Sequence, residues 1–569
     1  MKFRFPAIAA ALVSCCLSCV NVDPELGGSL IPVDQTYRIF PCETLLPFGS
    51  VKMQMTDSLS GFSQSRITIG AIRESGFGLT SRACALTLVP VRDTLDFGNV
   101  DAAIITGFHF AAAYDTTSVS RSDQLRILQN VKAYSLKEPV KPGRDYDCNG
   151  DSVTDKVDFS TSIIKSGGVL NGSDSLSFDF TDEYARRFLQ ITQDDLEDFK
   201  KYSAKIPGIY LTTDEPAGDG GRINMFELQI GYDSNLGYVV GNYALLSMMC
   251  DYDDDGIAEK DTAFFFVYGL NDFTKIDSLF TNSSRGNYPE YCLNLTSHET
   301  RGREGDAGEL VTIEGGGGLK PVISALELKH LSEEIIASKG GDPATAVINK
   351  ATLVMPFEFP SDYRDMDKYP VILSPTCRIR QNDTTVVFAG LTDASSADEN
   401  HGEINRSLLQ YEPDITYHLQ ELLKIHETPV EGESETEKTR RKMLLGGEYD
   451  IWMIITAYEK VETTSSSSSS SVSDYYQYLA YQNYYNSMYG GYGGYGGYGY
   501  GGYGYDSYTN YYNYMMMAAY ASGSSSSSTS YVEKLDKDRF YNATLYGPAY
   551  EDGSLRPRLE LTFSLPGKQ

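Results

Sequence analysis

The chain has 569 residues, a hydrophobic content of 41%, and 77 acidic against 48 basic side chains, for a formal charge of −29. That length exceeds what one hydrophobic core normally organises, so two folded domains are expected. The charge argues against nucleic acid as a partner, because phosphate binding needs a basic face, and it works against electrostatic attachment to anionic lipid.

The first residues, MKFRFPAIAAALVSCCLSC, set Lys2 and Arg4 before an apolar run from Phe5 to Val13, then small residues and cysteine. This is the pattern of a secretory signal peptide, too short for a stop-transfer helix. Cysteine at the cut site is similar to a bacterial lipoprotein signal, in which the thiol is acylated and becomes the mature N-terminus. Leu12-Val13-Ser14-Cys15 matches the usual lipobox best, whereas Cys19 gives a signal of more ordinary length. Cys19 is preferred as the lipidation site, with Cys15 as the alternative. Membrane attachment would then rest on lipid, since no later stretch is long and apolar enough to span a bilayer. The six cysteines beyond (42, 84, 148, 250, 292 and 377) are scattered without CxxC pairing, which fits neither a zinc framework nor a dense disulfide scaffold.

From there the dominant pattern is the short alternating strand punctuated by Gly, Asp, Asn and Ser. SRITIG, ACALTLV, AAIITGFHF, SLSFDF, GIYLTT, INMFELQI and YALLSMM carry it in the first half. ELVTIE, ATLVMPFEF, PVILS, YDIWMIITAY, NATLYG and RLELTF carry it in the second. Helical periodicity is sparse, the better cases being Asp182–Gln190, Asp195–Tyr202, Leu326–Ala337 and Ile415–Ile425. The order runs twice: residues 102–110, 130–136, 175–190, 206–215, 222–230 and 243–250 match 349–359, 369–379, 413–423, 449–458, 540–548 and 556–563. The expected fold is mainly β: two tandem jelly-roll-like β-sandwich domains with a few short helices. The expected bounds are a signal peptide over 1–19, an N-terminal sandwich over 20–255 and a C-terminal sandwich over 256–569.

Residues 462–531 interrupt the second sandwich with a tract built almost wholly from Ser, Tyr, Gly and Met. Only about six residues separate the first-half counterparts of its flanks, so the tract reads as an expansion of a hairpin loop. Regular glycine spacing prevents it from burying a core, so a long disordered low-complexity insertion is expected.

Few motifs suggest chemistry. DYDDDGIAEKD places Asp251, Asp253 and Asp255 at alternate positions before Gly256, with Glu259 and Asp261 downstream, a candidate calcium loop. Thr262 stands where an EF-hand has its glutamate, and Asp-Gly is also a hairpin signal, so a solvated turn is the preferred reading. DYDCNGDSVTDKVD (145–158) repeats the pattern and is read the same way. EGGGGLK (314–320) invites a phosphate-loop reading, but Pro321 follows Lys320 and a strand is expected next, which favours a connection or bulge. The histidines form no HExxH and no GxSxG elbow exists, so an enzyme is not expected. His418 is read as a helix-surface residue and Trp452, the only tryptophan, as core.

The ordered set LGGSLIP (26–32), TIGAIRESGFGLTSRA (68–83), NVDAAIITGFHF, PGIYLTTDE, GRINMFEL, IEGGGGLKPVISALEL (313–328), VINKATLVMPFEF, DITYHLQELL and RPRLELTF (556–563) resembles the Bacteroidota outer-membrane lipoproteins catalogued as domain of unknown function 4270. The likeness covers nearly the whole mature chain and supports Cys19 over Cys15. It implies an outer-membrane location with no established catalytic role, and supplies no catalytic residues. The expected function is that of a non-catalytic, lipid-anchored envelope lipoprotein acting through protein–protein contacts. Its expected partner is an integral outer-membrane protein, as for an accessory of outer-membrane protein assembly or lipoprotein export. The alternatives are a surface glycan-binding module and, ranked last, a calcium-stabilised hydrolase. No cofactor is expected apart from the candidate Ca²⁺. The periplasmic and cell-surface faces both remain open, with the surface preferred.

Overall fold

The structure, a computed structural model, describes residues 37–566 except 57–58, 64–65, 92–93, 116–126, 141–152, 173, 229, 234–237, 270–291, 301, 381–385, 392, 394–399 and 464–527. The signal peptide, Cys15, Cys19, most of the acidic stretch 145–158 and nearly all of the 462–531 tract therefore lie outside the described residues.

The chain begins with β1 (Tyr37–Leu45) and β2 (Val51–Met55). An N-terminal body follows: β3 (Arg66–Glu74), β4 (Gly78–Pro90), β5 (Ile104–Ala112), β6 (Gln129–Leu136), β7 (Ile164–Gly167), β8 (Leu176–Phe180), β9 (Ile209–Thr213), β10 (Gly220–Glu227), β11 (Ala244–Cys250), β12 (Lys260–Gly269) and β13 (Cys292–His298). The C-terminal body holds β14 (Leu310–Glu314), β15 (Leu319–Ile323), β16 (Val347–Pro356), β17 (Ile372–Arg380), β18 (Ile404–Asn405), β19 (Gln410–Tyr411), β20 (Ile451–Thr463), β21 (Ser528–Leu535), β22 (Asn542–Tyr546) and β23 (Arg558–Pro566). The strands pair antiparallel and enclose two large apolar cores, so the mainly β, two-sandwich expectation is met.

The repeat extends to the pairing scheme. In the N-terminal body β5 pairs with β8 and β11, β8 with β7, β9 with β6 and β4, and β10 with β3. In the C-terminal body β16 pairs with β19 and β23, β19 with β18, β20 with β17 and β15, and β22 with β14. Each member of one series has its counterpart in the other.

Strand pairing draws the boundary elsewhere than at 255/256. β12 and β13 pair with β11 and β4, inside the N-terminal body. β1 and β2 pair with β23 and β15, and Leu46, Val51 and Met53 lie in the C-terminal core. Periodicity shows that a strand exists; which sheet it joins depends on long-range partners.

Short helices pack against the strands and one another. α1 (Asp182–Phe188) is capped by Thr181, whose hydroxyl accepts the Tyr184 N–H, and buries Tyr184, Ala185 and Phe188. The helix expected over 195–202 is instead two short turns, Gln193–Leu196 and Phe199–Lys205, because Asp198 caps the second by accepting the Lys200 N–H. α2 (Ala325–Ser338) and α3 (Thr416–Leu423) fall where expected, and α3 follows β19 as α1 follows β8. α4 (Glu435–Leu445) was not anticipated, although Ser434 and Glu437 form the capping box that announces it.

The tract belongs to a different hairpin from the one expected. β20 pairs with β21 from Thr456↔Leu535 to Thr463↔Ser528, whereas residues 542–546 pair with β14. Glu462, Thr463 and 528–531, assigned to the insertion from sequence, are strand.

Candidate functional site

The Asp-rich stretch closes the β11–β12 hairpin, whose last pair is Cys250↔Lys260. Asp251 is fully buried. Its Oδ1 accepts the Asp254 N–H at 2.8 Å and its Oδ2 accepts the Gly256 N–H at 2.8 Å. Burial opposes the charged form of Asp251, yet the Gly256 N–H and the other donors around it hold its pKa below the usual carboxylate range. Asp254 and Gly256 take positive φ values of 63° and 88°, which the bend requires. From the neighbouring loop Asn99 donates its backbone N–H to the Asp251 carbonyl and its Nδ2 to Asp254 Oδ1, each at 2.7 Å.

Asp251, Asp253 and Asp255 bring carboxylate oxygens within 4.8 Å of one another; Glu259 and Asp261 are exposed and lie outside this cluster. Three carboxylates fall well short of the six to eight oxygens a calcium ion takes. Asp251, the one buried member, already accepts two backbone N–H groups. The residues fit a self-satisfied turn better than a cation cage.

The second candidate, EGGGGLK, leads from β14 into β15, a strand as expected. Lys320 is buried, and its Nζ donates back to the carbonyls of Glu314, Gly316 (3.1 Å) and Gly318 (3.2 Å). The lysine therefore holds its own loop rather than a phosphate. Glycine is required at 318, where a Cβ would lie 2.4 Å from Glu314 Cβ, and at 316, whose φ is +58°.

This loop lies in a buried polar seam between the two bodies. Glu314 accepts the Leu319 N–H and pairs with Arg303 at 2.6 Å. His298 of β13 has Nε2 3.0 Å from the Gly315 carbonyl, which only an N–H can satisfy, leaving Nδ1 to accept the Thr80 hydroxyl at 3.1 Å. Burial, followed by the nearby Arg82, Lys320 and Arg303 charges, pushes the His298 pKa down to about 3. Arg82 of β4, 1% exposed, donates to the carbonyls of Lys537 (2.8 Å) and Arg539 (3.3 Å). Asp538 accepts the Asn294 side-chain amide and the Ser63 hydroxyl, at 2.9 and 3.0 Å. Glu74 joins Lys368 and Asn542, and Phe540 packs on Ile72 and Ile223. No local signal foretold this seam, because the contacts that cross it, such as Arg82 to Lys537, Asn294 to Asp538 and Glu74 to Lys368, join residues hundreds apart in the chain.

Two single-residue expectations divide. Trp452 is core, packed with Val322, Ile454 and Phe388. His418 is not on the helix surface: it is 1% exposed, and its Nε2–H donates to the Tyr449 carbonyl at 3.1 Å. Burial pushes its pKa down to about 4. No helix among the described residues is long and apolar enough to cross a membrane. No family model, curated protein or solved structure matches this chain.

Proposed function

We propose that this is a non-catalytic, lipid-anchored outer-membrane lipoprotein of the DUF4270 type, attached through Cys19 and acting through protein–protein contacts. Its partner would be an integral outer-membrane protein, in the role of an accessory to outer-membrane protein assembly or lipoprotein export. The observation that carries the reading is where the chemically suggestive side chains go. Lys320, His298, His418 and Asp251 are each committed to backbone groups of their own fold, which is the work of a scaffold. A lipobox-type start ahead of two sandwiches joined by a polar seam supports an anchored binding body.

Metabolic labelling with a palmitate analogue should mark the wild type and the Cys15→Ala variant but not Cys19→Ala. Affinity purification in mild detergent should bring down an integral membrane protein. Recovery of the labelled chain only as a free monomer would rule out the partner, and unlabelled wild type would rule out the anchor.

A further inference from the structure

One departure from the repeated pairing scheme concerns the start of the described chain. In the N-terminal body β11 lies against β12, from Ala244↔Phe266 to Cys250↔Lys260, and β4 lies against β13, from Leu293↔Ala85 to His298↔Thr80. Their counterparts in the C-terminal body are β23 and β15. The equivalence of β11 and β23 is marked by a shared bulge. Against β11, β5 skips Thr106, its third residue; against β23, β16 skips Asn349, also its third.

The strands that flank β23 and β15 are β1 and β2. β1 runs from Tyr37↔Pro566 to Leu45↔Arg558, and β2 from Val51↔Ile323 to Met55↔Leu319. They fill the places of β12 and β13 but come from the opposite end of the described chain. The matched strands of the two bodies thus make the same circuit, opened in the C-terminal body between 566 and 37. That opening corresponds to the Asp-rich turn 251–259 in the other body.

We propose that residues 37–55 are a donor segment, and that the edges of β23 and β15 form an acceptor surface whose occupant is this segment. The fit is specific. Leu46, Val51 and Met53 are at most 3% exposed in the C-terminal core, and Phe40 stacks on Phe563 with ring centroids 5.5 Å apart. The backbone is tied at three further points: Leu46 N–H to the Pro557 carbonyl, Ala307 N–H to that of Val51, and Ser324 N–H to that of Ser50, at 2.8–2.9 Å. Without the segment, β23 would expose a row of unpaired N–H and C=O groups over an open core.

A circular permutant of residues 37–566 tests the proposal, with the same residues in their native order as its parent. Pro566 is joined to Tyr37 by a copy of DYDDDGIAE, and new ends are opened between Asp254 and Asp255. The expected product is a monomer whose unfolding midpoint lies within about 3 °C of the parent. The parent carrying a protease site at 254/255, once nicked, controls for the cut. A permutant that fails to fold while the nicked parent stays folded overturns the proposal. A second arm, decisive if the nick itself unfolds the protein, uses the full-chain double variant Val51→Glu/Met53→Glu. Its midpoint should fall, and excess synthetic peptide 37–55 should raise it again while a scrambled peptide does not. Equal response to both peptides overturns the proposal.

Discussion

Replacing His418 by glutamine should flatten the acid limb of the stability curve. The ring is held neutral in the folded protein, with its Nε2–H on the Tyr449 carbonyl and its pKa pushed from 6.5 down to about 4. In the unfolded chain the same ring takes a proton as the pH drops below 6.5. Stability from this group is therefore complete above about pH 7, is lost as the pH falls from 6.5 toward 4, and loses no more below that. The linkage relation gives a loss of about 2 kcal/mol between pH 7.5 and pH 5, approaching roughly 3.4 kcal/mol at lower pH. Glutamine keeps an N–H donor of similar reach and carries no titration. Urea unfolding of wild type and His418→Gln at pH 7.5, 6.5, 5.5 and 5.0 should show curves that converge as the pH falls. Carboxylates titrate alike in both proteins, so the difference isolates the histidine. Parallel curves, with a pH-dependent difference under ~0.5 kcal/mol, would refute the burial argument.

Three further outcomes are expected. EDTA should leave the unfolding midpoint unchanged, because Asp251 is already satisfied by backbone N–H groups; a drop reversed by calcium would show that the three carboxylates hold an ion. Replacing 464–527 by a four-residue Gly-Ser turn should leave the midpoint within about 2 °C, since Thr463 and Ser528 are cross-strand partners and the shortened loop costs less to close. Arg82→Met should destabilise by about 3 kcal/mol, because the Lys537 and Arg539 carbonyls lose a buried donor; calorimetry showing no change would mean the seam does not join the bodies.

The sequence by itself determined the class of fold, the existence and order of most strands, three of the helices and the doubling of the layout. These rest on local periodicity, which a short window of residues contains. Trp452 was legible as core for the same reason, and the Asp-Gly turn and the strand after the Gly-rich loop were legible from turn chemistry. Tertiary structure alone decided that 37–55 completes the C-terminal sandwich and that 260–269 and 292–298 stay with the N-terminal one. It also decided that His418 faces inward. Each of these depends on which distant backbone lies alongside, such as Pro566 beside Tyr37 or Tyr449 beside His418. A hydrogen bond between residues far apart in the chain leaves no periodic trace in the residues that make it.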